Sequence, residues 1–185
     1  MAAPHAPDMV KLLCGMISSR EDLFAEARDA LAEAFGPADA ESDLYAFDFT
    51  HYYDAEMGAP LWRKFVSFAG LASPECLADA KIRTNNIEAD FAERHARDLG
   101  VQRPINLDVG YVAPGKLVLA SLKDYAHRIY LSRGVYAEVT LQYRAGQWQS
   151  LPWTFPDFAS GRYDAFLTGT RQRLRDATRA EARPC

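Results

Sequence analysis

The chain has 185 residues, of which 49% are hydrophobic and 25% are charged, and its formal net charge is −4. These proportions exclude a disordered or low-complexity chain, and the mild acidity gives no general attraction to nucleic acid or anionic lipid. The three cysteines are odd in number and show no C-x-x-C spacing. They predict free thiols in a reducing cytoplasm rather than disulfides or a cysteine zinc site.

Residues 1–9 predict a short flexible lead, and residues 10–180 are expected to form a single α+β domain. The lead has neither the basic start nor the apolar run of a signal peptide. No window contains the roughly 18 consecutive apolar residues that a membrane helix requires. We therefore expect no membrane contact.

The first predicted elements are a strand and a helix. The apolar run 10–17 is typical of a strand buried on both faces. Ser18 and Glu21 have the spacing of a capping box, which predicts a helix that starts here. Gly36, followed by proline, ends that helix.

Two strands are predicted next, at 41–49 and 61–71. A polar and aromatic loop separates them. Ser73, followed by proline, predicts the start of a second helix, which runs to Gly100. The Asn85-Asn86 pair could divide this helix into two pieces.

The rest of the chain predicts β-structure followed by one helix. We expect strands at 105–112, 116–122, 128–131, 135–143 and 147–151, and a terminal helix over 163–180. The β-α-β-β-α-β order of the first six elements matches ferredoxin-like connectivity. The predicted fold is therefore a ferredoxin-like core with a largely antiparallel sheet, helices on one face, C-terminal β-hairpins and a terminal helix.

The sharpest polar pattern lies in the strand 135–144, where apolar residues alternate with Tyr136, Glu138, Thr140, Gln142 and Arg144. Such alternation is typical of a strand with one face in solvent. The alternative is that the polar face lines a ligand cleft. Glu138 would then be a base or a metal ligand, and Arg144 would contact an anion.

A second pattern places Asn106, Asp108 and Gly110 on one face of a strand. Short polar side chains beside a glycine would let a ligand approach the backbone. The alternative is that these residues, which favour turns, simply end the strand.

The densest ionisable cluster contains Lys123, Asp124, His127 and Arg128. His127 could act as a general acid or base near neutral pH. Lys123 and Arg128 could bind phosphate or carboxylate. The alternative is a solvated polar connection with local ion pairs.

The loop 48–58 carries Asp48, His51, Asp54 and Glu56, but their spacing matches no metal motif. A divalent-ion site completed by Asp108 or Glu138 remains an open alternative. The chain has no P-loop, no dinucleotide-binding glycine fingerprint and no nucleophile elbow. The sequence therefore assigns neither a cofactor nor a metal.

Four stretches taken together are specific: NLD-x-GY, KD-x-AHRIYL, YAEVTL and PWT-x-PD. They resemble a bacterial family of unknown function, and the resemblance runs from about residue 10 to residue 158. Members of that family are sometimes labelled GTP-binding proteins, a label that the missing P-loop does not support. The resemblance implies a bacterial cytoplasmic protein and no particular activity.

The sequence supports one hypothesis of a ligand site and one of an interaction module. In the first, a small phosphorylated or carboxylated ligand binds to Asn106, Lys123, Arg128 and Arg144, with catalytic roles for Asp108, His127 and Glu138. In the second, the many aromatic residues form a non-catalytic binding or assembly surface, and a homo-oligomer is one such assembly. Nucleic-acid binding by the arginine-rich last helix is disfavoured by the acidity of the chain.

Overall fold

The computed structural model of the protein describes residues 3–181, which form a nine-stranded sheet and five α-helices. The strands are β1 Lys11–Ser18, β2 Ala38–Glu41, β3 Tyr45–Ala46, β4 Trp62–Phe68, β5 Asn106–Ala113, β6 Lys116–Ser121, β7 Ile129–Ser132, β8 Val135–Arg144 and β9 Gln147–Ser150. The helices are α1 Leu23–Phe35, α2 Asp54–Met57, α3 Leu77–Leu99, α4 Pro156–Ala159 and α5 Asp164–Glu181, and a 3-10 turn Pro74–Cys76 precedes α3.

The sheet follows the order β2-β4-β1-β5-β6-β8-β7. Strand β3 extends β4, and β9 pairs with β8. Every pair of neighbouring strands is antiparallel. The predicted α+β class, antiparallel sheet and terminal helix are therefore confirmed.

Both faces of the sheet are covered by helices. Strand β1 is buried at every position, as its unbroken apolar run predicts. Cys14 and its same-face neighbours pack under α1 and α3, whereas Leu13 faces α5 through Phe166 and Leu167. The expectation that helices cover one face is wrong, because the terminal helix returns to the other face.

The predicted capping box of α1 is not formed. The helix begins at Leu23, and Ser18 is the last residue of β1. The Ser18 hydroxyl donates to the Pro104 carbonyl at 2.7 Å and accepts from the Arg20 amide at 3.0 Å. This local turn replaces the capping interaction, since a serine hydroxyl can satisfy loop backbone as readily as a helix end.

Helix α3 runs unbroken through the Asn85-Asn86 pair. The predicted cap Ser73 begins the 3-10 turn Pro74–Cys76 instead, where it accepts from the Glu75 amide at 3.4 Å, and α3 follows from Leu77. Gly100 ends α3 in the left-handed region at φ +66°, as predicted. The buried Thr84 and Phe91 anchor the helix on either side of the pair. Tertiary packing therefore overrides the low helix propensity of asparagine.

The strand predicted over 41–49 is not formed as one element. The structure has two short strands instead, β2 at Ala38–Glu41, which overlaps that range only at Glu41, and β3 at Tyr45–Ala46, and both pair with β4. Between these two strands, the Ser42 hydroxyl accepts a hydrogen bond from the Phe65 amide at 2.9 Å. In an unbroken strand, a backbone carbonyl would accept this bond. The loop that follows contains the short helix α2. No helix within residues 3–181 is long and apolar enough to cross a membrane.

The described cysteines are free. Cys14 is buried and Cys76 is half-buried. Burial raises the pKa of the Cys14 thiol well above its usual value, which makes it unreactive. Cys185 lies outside the described residues.

Candidate functional site

A cavity of about 1040 Å³ opens where β5 and β6 separate. Strand β5 pairs with β6 only from Gly110 to Ala113. Residues 106–109 consequently have no strand partner on that side, although they remain paired with β1 on the other. The gap between the two strands admits side chains from α3, from the β6–β7 loop and from the segment that leads into α4.

Gly110 lies where the pairing of β5 with β6 begins. A Cβ atom at this position would overlap the Val118 carbonyl oxygen and would lie 2.6 Å from Leu119 Cδ2. Only glycine permits so close an approach of backbone to backbone. Gly110 therefore supports the divergence that forms the cavity.

The open edge of β5 is satisfied by side chains of α3. Lys81 Nζ donates to the Leu107 carbonyl at 2.9 Å, and Glu88 Oε1 accepts from the Leu107 amide at 2.6 Å. Glu88 Oε2 also accepts from Arg103 at 2.8 Å. These contacts replace the backbone partner that β6 would have supplied.

Lys81 is a buried cation without a carboxylate partner in the described part of the chain. Its relative exposure is 6%, and the ion pairs within residues 3–181 do not include it. An ammonium group removed from water is costly unless a counter-charge compensates it. The side chain lines the cavity, so an anion bound there could supply that charge.

Arg63 of β4 forms ion pairs with two carboxylates at the wall of the cavity. It donates to Asp108 Oδ2 at 2.7 Å and forms a buried ion pair with Asp157. The guanidinium lies 4.8 Å from the centroid of the Phe47 ring and 5.2 Å from that of Phe158. Burial opposes its charge, but the two carboxylates outweigh burial and raise the pKa of Arg63.

Glu138 of β8 is the second buried charged centre, at 2% relative exposure. Its Oε2 atom accepts from Arg128 Nε at 2.8 Å and lies 3.0 Å from His127 Nε2. Thr140 Oγ1 lies 3.3 Å from Glu138 Oε1. A carboxylate shared by an arginine and a histidine holds both side chains in fixed positions.

A β-bulge explains why Glu138 is buried. Leu141 pairs with Leu117 and Val139 pairs with Val118, so Thr140 is an extra residue in β8. Glu138 and Leu141, three residues apart, therefore share the face that α4 and α5 cover. The expectation of a solvent-exposed polar face is wrong for Glu138 and Thr140, and it holds only at the end of the strand.

Aromatic rings form one wall of the cavity. The His127 imidazole is nearly parallel to the Trp153 indole, with ring centroids 5.2 Å apart, and to the Tyr125 ring at 6.0 Å. Lys123 Nζ donates to the Tyr52 hydroxyl at 3.1 Å and lies 4.9 Å from the centroid of that ring. Burial raises the pKa of the neighbouring Tyr53 to about 12, so this phenol stays protonated.

Six of the seven site residues expected from the sequence line this cavity: Asn106, Asp108, Lys123, His127, Arg128 and Glu138. Arg144 does not. It is exposed at the other end of β8, about 20 Å along the strand from Glu138 at the usual rise per residue. The structure therefore places Arg144 apart from the cavity that the other six residues share.

The two remaining alternatives from the sequence can also be placed. Residues 106–113 form a complete strand, so the reading of Asn106 to Gly110 as the end of a strand is wrong. In the loop 48–58, His51 pairs with Asp54 at 2.8 Å, and Asp48 pairs with Arg162 at 2.9 Å. Among the residues that the structure describes, no three His, Cys, Asp or Glu side chains are grouped as metal ligands.

Sequence reasoning missed several charged residues of the site: Arg63, Lys81, Glu88, Arg103 and Asp157. Lys81 carried a usable signal, because its spacing from Leu77 and Thr84 places it on the buried stripe of α3. Arg63 carried none. It stands beside Lys64 in β4, and the alternation that separates buried from exposed positions does not distinguish the two.

The family described as Domain of unknown function (DUF4416) matches residues 8–174. The chain belongs to this family. No curated protein and no solved structure gives a significant match to this DUF4416 domain.

Proposed function

We propose that the protein binds a small phosphorylated or carboxylated ligand in the cavity between β5 and β6. The observation that carries this proposal is Lys81. It is a buried ammonium group on the cavity wall, its one hydrogen-bond partner is a backbone carbonyl, and it has no carboxylate partner within residues 3–181. A bound anion would compensate its charge in a site of low dielectric constant, where such pairing is strong.

The charge balance of the wall supports an anionic ligand. The cavity is lined by five cationic side chains, Arg63, Lys81, Arg103, Lys123 and Arg128, and by four carboxylates, Glu88, Asp108, Glu138 and Asp157. The whole chain, in contrast, has a net charge of −4. The site is thus locally cationic on an acidic protein, which favours the approach of an anion.

Three further residues can contact the ligand. The Nδ2 atom of Asn106 is buried and has no hydrogen-bond partner among the described residues, which leaves a donor unused. Lys123 lies at the exposed edge of the cavity, and within residues 3–181 its ammonium group donates only to the Tyr52 hydroxyl. Asp108 is held by Arg63 and can accept a hydrogen bond from a ligand hydroxyl.

His127 is placed to exchange a proton with the ligand. An ionised Glu138 can only accept hydrogen bonds, so His127 Nε2 carries the hydrogen and Nδ1 carries the free electron pair of the neutral ring. Nδ1 has no partner in the described part of the chain. This arrangement, in which a carboxylate fixes the tautomer of a histidine, is the one that general bases use.

Thermal-shift measurements with a defined ligand panel test the proposal. The panel contains inorganic phosphate, glucose 6-phosphate and malate, with glucose as the neutral control. We expect at least one anion to raise the melting temperature of the wild type, and Lys81→Met to lose that shift. Lys116→Met, a change at an exposed position outside the cavity, should keep it.

Each protein is compared with itself in the absence of ligand, so a change in basal stability does not obscure the result. The proposal is wrong if no anion stabilises the wild type more than glucose does. It is also wrong if Lys81→Met responds as the wild type does.

A second experiment tests proton transfer by His127. NMR spectra follow the conversion of the ligand during incubation with the wild type and with His127→Gln. Equal conversion by both proteins contradicts the role of His127.

A second candidate is an assembly function, favoured by the edge strand β7. Strand β7 is the last strand of the sheet, and its apolar residues Ile129, Tyr130 and Leu131 are 69%, 57% and 40% exposed. Exposed apolar edge strands are ready templates for pairing with another strand. We propose that β7 pairs with the β7 of a second copy in a two-fold symmetric dimer.

Two properties of the whole chain also stand as proposals. The order β2-β4-β1-β5, with α1 and α3 in the connections, supports a ferredoxin-like core in which β1 and β2 are split by β4. Superposition on ferredoxin-like domains tests this.

The free Cys14 and Cys76 support a cytoplasmic location in a bacterium, which cell fractionation tests.

A further inference from the structure

We infer that the ligand of this cavity is an anion that carries a planar aromatic ring, and that the ring stacks on the Trp153 indole. The inference rests on the proposed anion site and adds the chemical class of the rest of the ligand. It is carried by the position of exposed aromatic side chains, which the anion site by itself does not explain.

Exposed aromatic residues are concentrated at the cavity. Tyr52, Tyr125, Trp153 and Phe155 are between 38% and 63% exposed, and all four line it. Aromatic side chains gain free energy when they are buried, so a group of them left in contact with water at one opening indicates a binding surface. The other exposed aromatic residue within residues 3–181, Tyr130, belongs to the β7 edge.

The Trp153 ring is fixed before any ligand binds. Its indole nitrogen donates to the Val139 carbonyl at 2.9 Å, and His127 stacks against one of its faces with an interplanar angle of 7°. No other aromatic ring of the described chain stacks on Trp153. A rigid indole that lines the cavity and is 38% exposed is a good platform for a planar ring, because little conformational entropy is lost on stacking.

Charged and aromatic side chains of the cavity meet at His127 and Arg128. His127 stacks on Trp153, and Arg128, the next residue, binds Glu138 and lies 4.8 Å from the centroid of the Tyr125 ring. The volume of about 1040 Å³ far exceeds that of a phosphate ion and is at the upper end for small-molecule sites. A ring and an anionic group can therefore be bound together.

Matched pairs of anions test the inference by isothermal titration calorimetry. Phenyl phosphate is compared with methyl phosphate, benzoate with acetate, and a nucleoside monophosphate with ribose 5-phosphate. We expect at least one ring-bearing member to bind the wild type about 10-fold more tightly than its ringless partner, a ratio typical of one stacking contact. The three pairs distinguish aryl phosphates, aryl carboxylates and nucleotides as sources of the ring.

Variants separate the ring from the anion. Trp153→Leu should remove most of the ring preference and leave the affinity for the ringless anion within about 2-fold, whereas Lys81→Met should weaken both partners. Tyr125→Ala, at a 56% exposed position of the same wall, gives an independent variant should Trp153→Leu not fold. Tyr130→Ala, outside the cavity, is the control and should bind as the wild type does.

The outcomes distinguish this inference from the proposed function. Anions that bind with no preference for a ring, or a ring preference that survives both Trp153→Leu and Tyr125→Ala, overturn the inference and leave the anion site standing. Failure of every anion, with or without a ring, to bind the wild type overturns the proposed function and the inference with it.

Discussion

The ion pairs of Arg63 and Arg133 differ in burial and therefore in their expected contribution to stability. The Arg63 and Asp157 side chains are each 4% exposed, whereas Arg133 and Asp79 are 52% and 68% exposed. Water and salt screen the exposed pair. The buried pair is not screened, so loss of one partner leaves an uncompensated charge inside the protein.

We expect Arg63→Met to lower the free energy of unfolding by about 3–5 kcal/mol, because Asp157 loses its cation. Arg133→Met is the matched control and should cost at most about 1 kcal/mol. Urea denaturation followed by circular dichroism measures both values. The double variant Arg63→Met, Asp157→Asn should be more stable than Arg63→Met alone. Equal losses for the two arginines would contradict this account.

At the scale of elements, the cavity depends on the way that β5 and β6 pair. They touch over the short stretch that follows Gly110 and separate before it, where Lys81 and Glu88 complete the edge of β5. The bulge at Thr140 then directs Glu138 into the space that the separation leaves. Neither irregularity is visible in a hydrophobic pattern, because such patterns assume regular pairing.

Gly110→Ala should destabilise the protein by about 1–3 kcal/mol or more, the usual cost of overpacking, because the added Cβ meets the backbone of β6. Gly115→Ala is the matched control. It lies in the turn that joins the same two strands, and a Cβ there meets no atom within 4 Å. Thermal denaturation compares the two variants. If they melt at the same temperature, the close approach of β5 and β6 is not required for stability.

At the scale of the whole molecule, the sheet is covered on both faces but open at one edge. Helices α1 and α3 pack on one face and α5 packs on the other. Exposed apolar side chains are left at the cavity and along β7, which these helices do not cover. The cavity is suited to a small ligand and the β7 edge to another strand. The ligand and assembly hypotheses therefore concern different surfaces of the protein and can be tested separately.

If β7 mediates a dimer, light scattering coupled to size-exclusion chromatography should give twice the chain mass of 20.7 kDa for the wild type. Ile129→Lys should give the monomer mass, because a lysine on an edge strand opposes pairing. The control is Arg173→Glu, at an exposed position of α5. A monomeric wild type, or a dimer that Ile129→Lys does not disrupt, rules out this assembly.

Most elements of the fold could be predicted from local patterns in the sequence. Capping and glycine signals located α3, an unbroken apolar run identified β1 as a strand buried on both faces, and turn signals separated β7, β8 and β9. These features are set by interactions between residues that are near in the chain. The single-domain organisation of residues 10–180 stays a prediction.

The sequence also named six residues that the fold brings to one cavity, because dense polar groups between apolar strands stand out in the chain. It could not show that Arg63 and Lys81 belong with them. The buried stripe of α3 predicts that Lys81 is buried but not which charges surround it, and Arg63 carries no signal. Contacts between distant segments set this arrangement. The separation of β5 from β6, the bulge at Thr140 and the return of α5 to the second face depend on contacts between residues far apart in the chain, and those contacts determine which charges are buried together.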